Sequence, residues 1–461
     1  MANHVLRLVD TGVSGTVNLT DWADYSPQSP QIDALDYEPA GWQSGGERLL
    51  VTRRNVDETC RVWFDYATTA AIRGTINYIE KMFSRAEHHQ ATGMAYPVYV
   101  EFDPGTSGTA YRSEILSGRV ELDPDALKNP QWDNTRIGAT LHWRRRWYWE
   151  GPETQLTLAN NHGTATSAVV YNHNYVGGGT VRHNWVALTD GTAYAGGVLP
   201  SPVKLRLTNN SGTSINKVWM AHNAWCSMIN TGHILEAETL TSHGGTATVD
   251  AGSSGGQYVN MSPGTAFYTT TYWALTPTHV DLFRGNWISA LLRCRVAPNP
   301  NTFTAYLRLT VGGLFTVWQN VPMVLPQLST IPMGTFRLPP GLPNKSDYQD
   351  MRLYLYIISN NALATFQPDF MALLPSDGFR EHAPTTGSFY TASRTVDDMI
   401  AGEIYNESTG GTALTAHITP LGGDIELWPD REQRLYFLCS GMATHGTIGV
   451  EAWYRPRRYT L

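Results

Sequence analysis

A chain of 461 residues has room for two to four domains, each with its own core. Only 16% of the residues are charged while 11% are aromatic, and 42 glycines and 26 prolines favour strands and turns over helices. A net charge of −7 exerts no general pull toward nucleic acid or an anionic membrane, and no apolar run reaches the length of a membrane span.

The opening "MANHVLRLVD" lacks the apolar stretch of a secretory signal, so a soluble product made in a cytoplasm is expected. Residues 1–155 carry the one convincing helical pattern. Ile72, Ile76, Ile79 and Phe83 repeat at i, i+4, i+7 and i+11, a single apolar stripe. Thr68 and Thr69 stand ready as caps, and the run ends in basic and histidine residues that suit a helix C-terminus. Strand patterns surround it: "LLVTR" and "CRVWFDY" before, then "YPVYVEFD", "RSEILSGRVELD" and "RIGATLHWRRRWYW", with a turn at Asp103-Pro104-Gly105. Antiparallel strands with one packed helix make an α+β unit.

From 155 to 229 the pattern is β-rich, and Asn209-Asn210-Ser211-Gly212 predicts a hairpin between "VKLRLT" and "INKVWMAH". A further β cadence runs from about 230 to 385, opening with Ile234-Leu235-Glu236-Ala237-Glu238 and closing with Asp369-Phe370-Met371-Ala372-Leu373-Leu374. More strands follow from 386 to 461. Neither flank has strands enough for a sandwich of its own, so 156–229 and 386–461 are expected to be two halves of one sandwich, with 230–385 inserted as a self-contained module. Three sandwiches in tandem is the alternative. The cysteines Cys60, Cys226, Cys294 and Cys439 are scattered through apolar contexts without a C-x-x-C pair and read as reduced, buried thiols.

Nucleophile elbows, Walker loops and zinc-protease motifs are absent. "GSSGG" at 252–256 leads toward a strand and reads as a turn; His88-His89 point apart, and "YVGGGT" lacks the strand–helix frame of a phosphate loop. Asp424 with Glu426 is the sort of carboxylate pair a glycosidase needs, yet nothing places the two around a cleft. The run Trp143-Arg144-Arg145-Arg146-Trp147-Tyr148-Trp149 is the best nucleic-acid candidate. Strand alternation splits its arginines between two faces, however, so packing on neighbouring aromatics or a subunit contact is expected there and in "WYRPRRYTL". Glu236 and Glu238, on one strand, would share a face about 7 Å apart. With Asp369 they would form an oxygen-rich site of the kind Ca²⁺ favours, or else an ordinary acidic strand face.

The segment "ILEAETLTSHGGTATVDAGSSGGQYVNM" through "WISALLRCRV" to "FQPDFMALLPSDGF" resembles the calcium-dependent β-jelly-roll carbohydrate-binding modules. That resemblance implies structural calcium ligands at Glu236, Glu238 and Asp369. It does not map the sugar-site aromatics: Tyr272, Trp273 and Trp287 are available, with core packing their expected role. Residues 1–155, with strands, "AAIRGTINYIEKMF", "YPVYVEFD", "SGRVELD" and "TLHWRRRWYWEG" in that order, resemble the N-terminal belt domain of siphophage distal tail proteins. In that family the belt forms a hexameric ring and is followed by a galectin-like sandwich that carries inserted modules. The resemblance implies a mainly β, non-catalytic virion protein at the tail tip, assembled in the host cytoplasm. Its partners would be copies of itself, the tail tube protein, the hub or tip protein, and tail fibres or host-surface glycans, with no specific nucleic acid and no membrane insertion. A non-catalytic carbohydrate-binding surface protein is the rival reading.

Overall fold

The computed structural model describes residues 4–459 except 22, 25–26, 28–31, 39–47, 66–67, 94–95, 106–108, 124–135, 161–162, 166–167, 178–179, 189–196, 223–232, 243, 277–285, 313–314, 338–349, 376–378, 383–393, 408–411, 414–417, 421–423, 430–432 and 442–445. The protein is mainly β, with a single α-helix among the described residues.

That helix, Thr69–Thr92, begins where the Thr68 side chain accepts from the Ala71 amide and stops at Gly93 in the left-handed region. Ile72, Ile76, Ile79 and Phe83 are all buried, each burial stabilising by about 1.5–3 kcal/mol. They pack on an antiparallel sheet whose main path runs Gly15–Asn18, Val5–Asp10, Val98–Asp103, Tyr111–Leu122, Arg136–Arg145, Val56–Asp65 and Ala23–Asp24. Gly118 lets the helix approach: a Cβ there would stand 2.5 Å from the Phe83 ring. Below that strand end, Arg145 is fully buried against Glu58 at 2.8 Å, Trp143 donates to the same carboxylate at 3.0 Å, and Trp149 faces the guanidinium.

Two further sheets face each other across a second apolar core. One runs Thr154–Gln155, Thr447–Tyr454, Ser201–Asn209, Arg394–Asp398, Glu403–Asn406 and Thr412–Ala413. The other runs Gly163–Ala165, Leu158–Asn160, Trp185–Ala187, Arg434–Ser440, Lys217–His222, Arg380–His382 and Ile418–Pro420. Each sheet draws strands from both sides of the 230–375 stretch. The hairpin predicted at Asn209–Gly212 does not form. Ser201–Asn209 pairs with Thr447–Tyr454 and Arg394–Asp398, while Lys217–His222 lies in the opposite sheet, paired with Arg434–Ser440. The turn therefore arches over the core, because Leu205 and Leu207 on one side and Val218 and Met220 on the other are buried facing the same interior.

Between them come a four-stranded sheet (Ile234–Glu236, Pro368–Pro375, Trp287–Cys294, Thr330–Arg337) and a five-stranded one built on Thr269–Leu275, Met351–Ser359, Phe303–Val311 and Phe315–Gln319. The opening and closing strands are neighbours, Leu235 opposite Met371 and Glu236 opposite Phe370. The expectation of a self-contained core needs correction. One continuous apolar cluster joins Leu291, Leu307 and Phe370 to Trp185, Trp219, Tyr436 and Leu438 of the flanking sandwich. The strand Arg380–His382, within the expected module, pairs instead with Lys217–His222.

Cys60, Cys294 and Cys439 are buried free thiols; Cys226 lies outside the described residues. Among the described residues no helix is long and apolar enough to cross a membrane.

Candidate functional site

The predicted Glu236–Glu238 strand ends after Glu236. Ala237–Thr239 form one turn of 3₁₀-helix, so Glu238 is carried on a turn and not along a strand face. The two carboxylates nonetheless meet, because the turn folds back against Gly255. At φ +61° this residue occupies a conformation glycine tolerates best, and a Cβ there would stand 2.8 Å from Glu238 Oε1 and 3.8 Å from Glu236 Oε1. The "GSSGG" turn is thus the floor of the cluster. Ser254 ties it together, its hydroxyl donating to Glu236 Oε1 at 2.8 Å and its amide to Asp369 Oδ1 at 2.8 Å.

Three oxygens, Glu236 Oε2, Glu238 Oε2 and Asp369 Oδ2, are buried without a hydrogen-bond partner. Burial, reinforced by the charge of Glu238 and opposed by the Ser254 hydrogen bond, pushes the Glu236 carboxyl up to about 7. Burial likewise raises Glu238, and it raises Asp369 well above the ordinary carboxylate range despite Arg293, whose Nε stands 4.0 Å from Asp369 Oδ2. Three desolvated carboxyls beside one guanidinium therefore hold on to their protons more tightly than exposed acids do. Hard, anionic oxygen donors with orphaned lone pairs suit a divalent cation such as Ca²⁺. Among the described residues no three His, Cys, Asp or Glu side chains stand at a geometry that could hold a metal ion.

The three aromatic candidates are not brought together. Trp273 is buried in the core, its Nε1 donating to the Glu236 carbonyl at 2.9 Å, as core packing predicts. Trp287 is 49% exposed at the start of a strand in the other sheet, and Tyr272 lies on an outward sheet face. For these two the core expectation fails.

Tyr272 instead belongs to an array that the sequence reading passed over. On the outer face of the five-stranded sheet, Tyr306 pairs with Tyr356 and Tyr354 sits between Tyr272 and Arg308. Tyr306 and Tyr356 stack with centroids 4.5 Å apart, Tyr268 meets Tyr306 edge-on at 5.2 Å, and Tyr272 meets Tyr354 at 5.1 Å. Arg352 lies over Tyr272. The Y-x-Y alternation in "MRLYLYIIS" was the signal for it.

The basic-aromatic runs find each other. Trp149 and Glu150 pair with Arg458 and Arg457, Arg457 binds Glu150 Oε1 at 2.7 and 2.9 Å and lies over Tyr148, and Trp147 stacks on Tyr459. Asp424 accepts from Arg380 at 3.1 Å.

No family model matches the chain, and no curated protein does. Among solved structures it is similar to the SPP1 Dit protein, described as a paradigm of the hub adsorption apparatus of phages infecting Gram-positive bacteria. The two are 10% identical, with 97% of this chain and 99% of that one covered and a TM-score of 0.30. It is similar to a chain of the phage p2 baseplate in its activated conformation, at 8% identity, 80% and 97% coverage and a TM-score of 0.24. It is also similar to the CBM22 tandem domain of Paenibacillus barcinonensis Xyn10C, at 11% identity, 53% and 99% coverage and a TM-score of 0.20. Two of these three are phage tail-apparatus structures and the third is a carbohydrate-binding-module pair. At such scores the roles of individual residues rest on this chain alone.

Proposed function

We propose that the protein is a non-catalytic ring subunit of a phage tail tip, of the distal tail type. In this reading residues 1–155 form the ring, 156–229 with 386–461 form the outer sandwich, and 230–385 form a module carried on it. The observation that carries the reading is the order of elements. A sheet with one packed helix is followed by a sandwich whose sheets take strands from both sides of an insertion. Edges for assembly are present in the first part. The hairpin Ile32–Glu38 with Arg48–Arg53 forms a sheet of only two strands, which is marginal alone and gains from a neighbouring chain's strand. An open cleft of about 440 Å³ lined by Asp57, Glu87, Arg119, His142 and Arg144 offers both signs of charge for a head-to-tail contact between copies. The tail tube and the hub protein are the partners above and below such a ring. Electron micrographs of the purified protein, alone and with its tube protein, are expected to show rings with radiating lobes, six-fold if the family's stoichiometry holds. A strictly monomeric protein under both conditions would overturn the reading.

The module supports a second reading, glycan capture at the tyrosine array. Phenol edges and hydroxyls flanked by Arg308 and Arg352 can pack on sugar rings and hydrogen-bond their hydroxyls. Host-surface polysaccharide then binds the wild type, and Tyr356→Ala with Tyr354→Ala abolishes the binding.

Ca²⁺ at Glu236, Glu238 and Asp369 belongs to this reading as a structural ion. Adding CaCl₂ is expected to raise the melting temperature of the wild type and to leave Glu236→Ala unchanged; a wild type that does not respond retires the ion.

A further inference from the structure

The carboxylate cluster is not enclosed by the inserted segment alone. Asn174 enters it from the flanking sandwich, where it is buried. Its backbone carbonyl accepts from the Gly255 amide at 3.3 Å, its Nδ2 lies 3.4 Å from Glu236 Oε1, and its Oδ1 lies 2.9 Å from His183 Nδ1. His183 stacks on Trp185, and Trp185 belongs to the apolar cluster that module and sandwich share. The seam is polar beside this cluster as well, with His233 Nε2 2.8 Å from Asn184 Oδ1 and Thr330 Oγ1 donating to the Cys439 carbonyl at 2.9 Å.

We propose that the cation site is completed across the seam by the Asn174 side-chain oxygen, so that a bound divalent cation locks the inserted module onto the flanking sandwich. This rests on the reading of Glu236, Glu238 and Asp369 as ion ligands and adds a donor from outside the module. A primary amide has nearly the same shape after its oxygen and nitrogen exchange places. With Nδ2 toward Glu236, as found, Asn174 donates to an anionic carboxylate. Turned over, it offers Oδ1 to a cation lying against Glu236, and Nδ2 donates to His183 Nδ1 in the tautomer that carries its proton on Nε2. No hydrogen bond to His183 is lost in the exchange. The Gly255–Asn174 backbone bond fixes the distance across which the amide works. Asp369 is fully buried at the same cluster; its Oδ2 accepts no hydrogen bond and has Arg293 Nε 4.0 Å away.

The test is calcium titration by calorimetry on the full chain, beside hydrogen exchange with and without CaCl₂. In the wild type, calcium is expected to slow exchange at the Gly255 amide and in the peptide carrying Tyr171–Asn174. Asn174→Ala is expected to weaken calcium binding by roughly 10–100-fold and to abolish that protection, while Asn174→Asp, which keeps an oxygen, retains both. Asn174→Ala binding calcium as tightly as the wild type overturns the proposal and leaves the ion reading standing. Protection confined to the module, with none at Tyr171–Asn174, does the same and needs no variant to fold. A wild type that binds no calcium removes the ion reading and this proposal with it.

Discussion

At the scale of single residues, Gly255 is the most constrained position near the carboxylates. An alanine there must hold φ near +61° and would press its methyl against Glu238 Oε1. Gly255→Ala is expected to lower stability by about 1–3 kcal/mol and to weaken calcium binding, read by denaturant unfolding and calorimetry. The sequence displayed the acids but hid their floor, because "GSSGG" looks like any turn until the chain has brought Asp369 to its amides. A second residue sets an acid limit on the fold. His222 is fully buried, hydrogen-bonded to Gln433 at 3.0 Å, and burial holds its pKa down to about 4. Between pH 6.5 and 4 the unfolded chain takes up a proton that the folded one refuses. The stability His222 contributes is therefore present above about 6.5 and lost as pH falls toward 4, by up to about 3 kcal/mol. His233, held down to about 3, acts in the same direction. A melting-temperature profile of His222→Gln should be flatter over that window than the wild type's.

At the scale of elements, the helix was legible because its stripe and its caps lie within one local run, and the structure caps it with Thr68, one of the two threonines expected there. Strand partnership was less so. Asn209–Gly212 has the composition of a hairpin, yet composition does not distinguish a turn joining neighbours from an arch joining two sheets, and only the shared core decides. The ion cluster on Arg380–His382 shows the same limit. Arg380 grips Asp397 through Nε and Nη2 at 2.7 and 2.9 Å, and His382 Nε2 approaches the same carboxylate at 3.2 Å, linking a strand of one sheet to a strand of the opposite sheet. Burial works against the Asp397 charge, and His382 with Arg380 outweighs it, so its pKa lies below the ordinary value. Asp397→Asn leaves the buried Arg380 guanidinium with only the exposed Asp424 as counter-charge and is expected to cost about 3 kcal/mol, measured by urea unfolding.

For the whole molecule, the mainly β class and its one helical stretch were readable from cadence and composition. The shared core was not, because Trp185, Trp219, Tyr436 and Leu438 alternate along their strands as any sandwich residues do. Which of their faces meets a neighbour is a tertiary fact. Replacing residues 233–375 by a short linker would expose this apolar surface. The remaining sandwich is expected to bind a hydrophobic dye and to aggregate, in contrast to the intact protein. A module that merely hung on a tether would leave a well-behaved host behind.

The pairing of Trp149 and Glu150 with Arg458 and Arg457 continues through Gly151 and Pro456 to Gln155 and Trp453, so the first sheet and the sandwich are joined by two crossings of the chain hydrogen-bonded side by side. A single strand acts as a swivel, free to spin about its own bonds. A ribbon of two strands resists torsion and flexes chiefly across its flat face. Whatever load the outer sandwich meets therefore reaches the first sheet as leverage in one plane, and a tug that would unwind a lone linker must here shear several backbone hydrogen bonds at once.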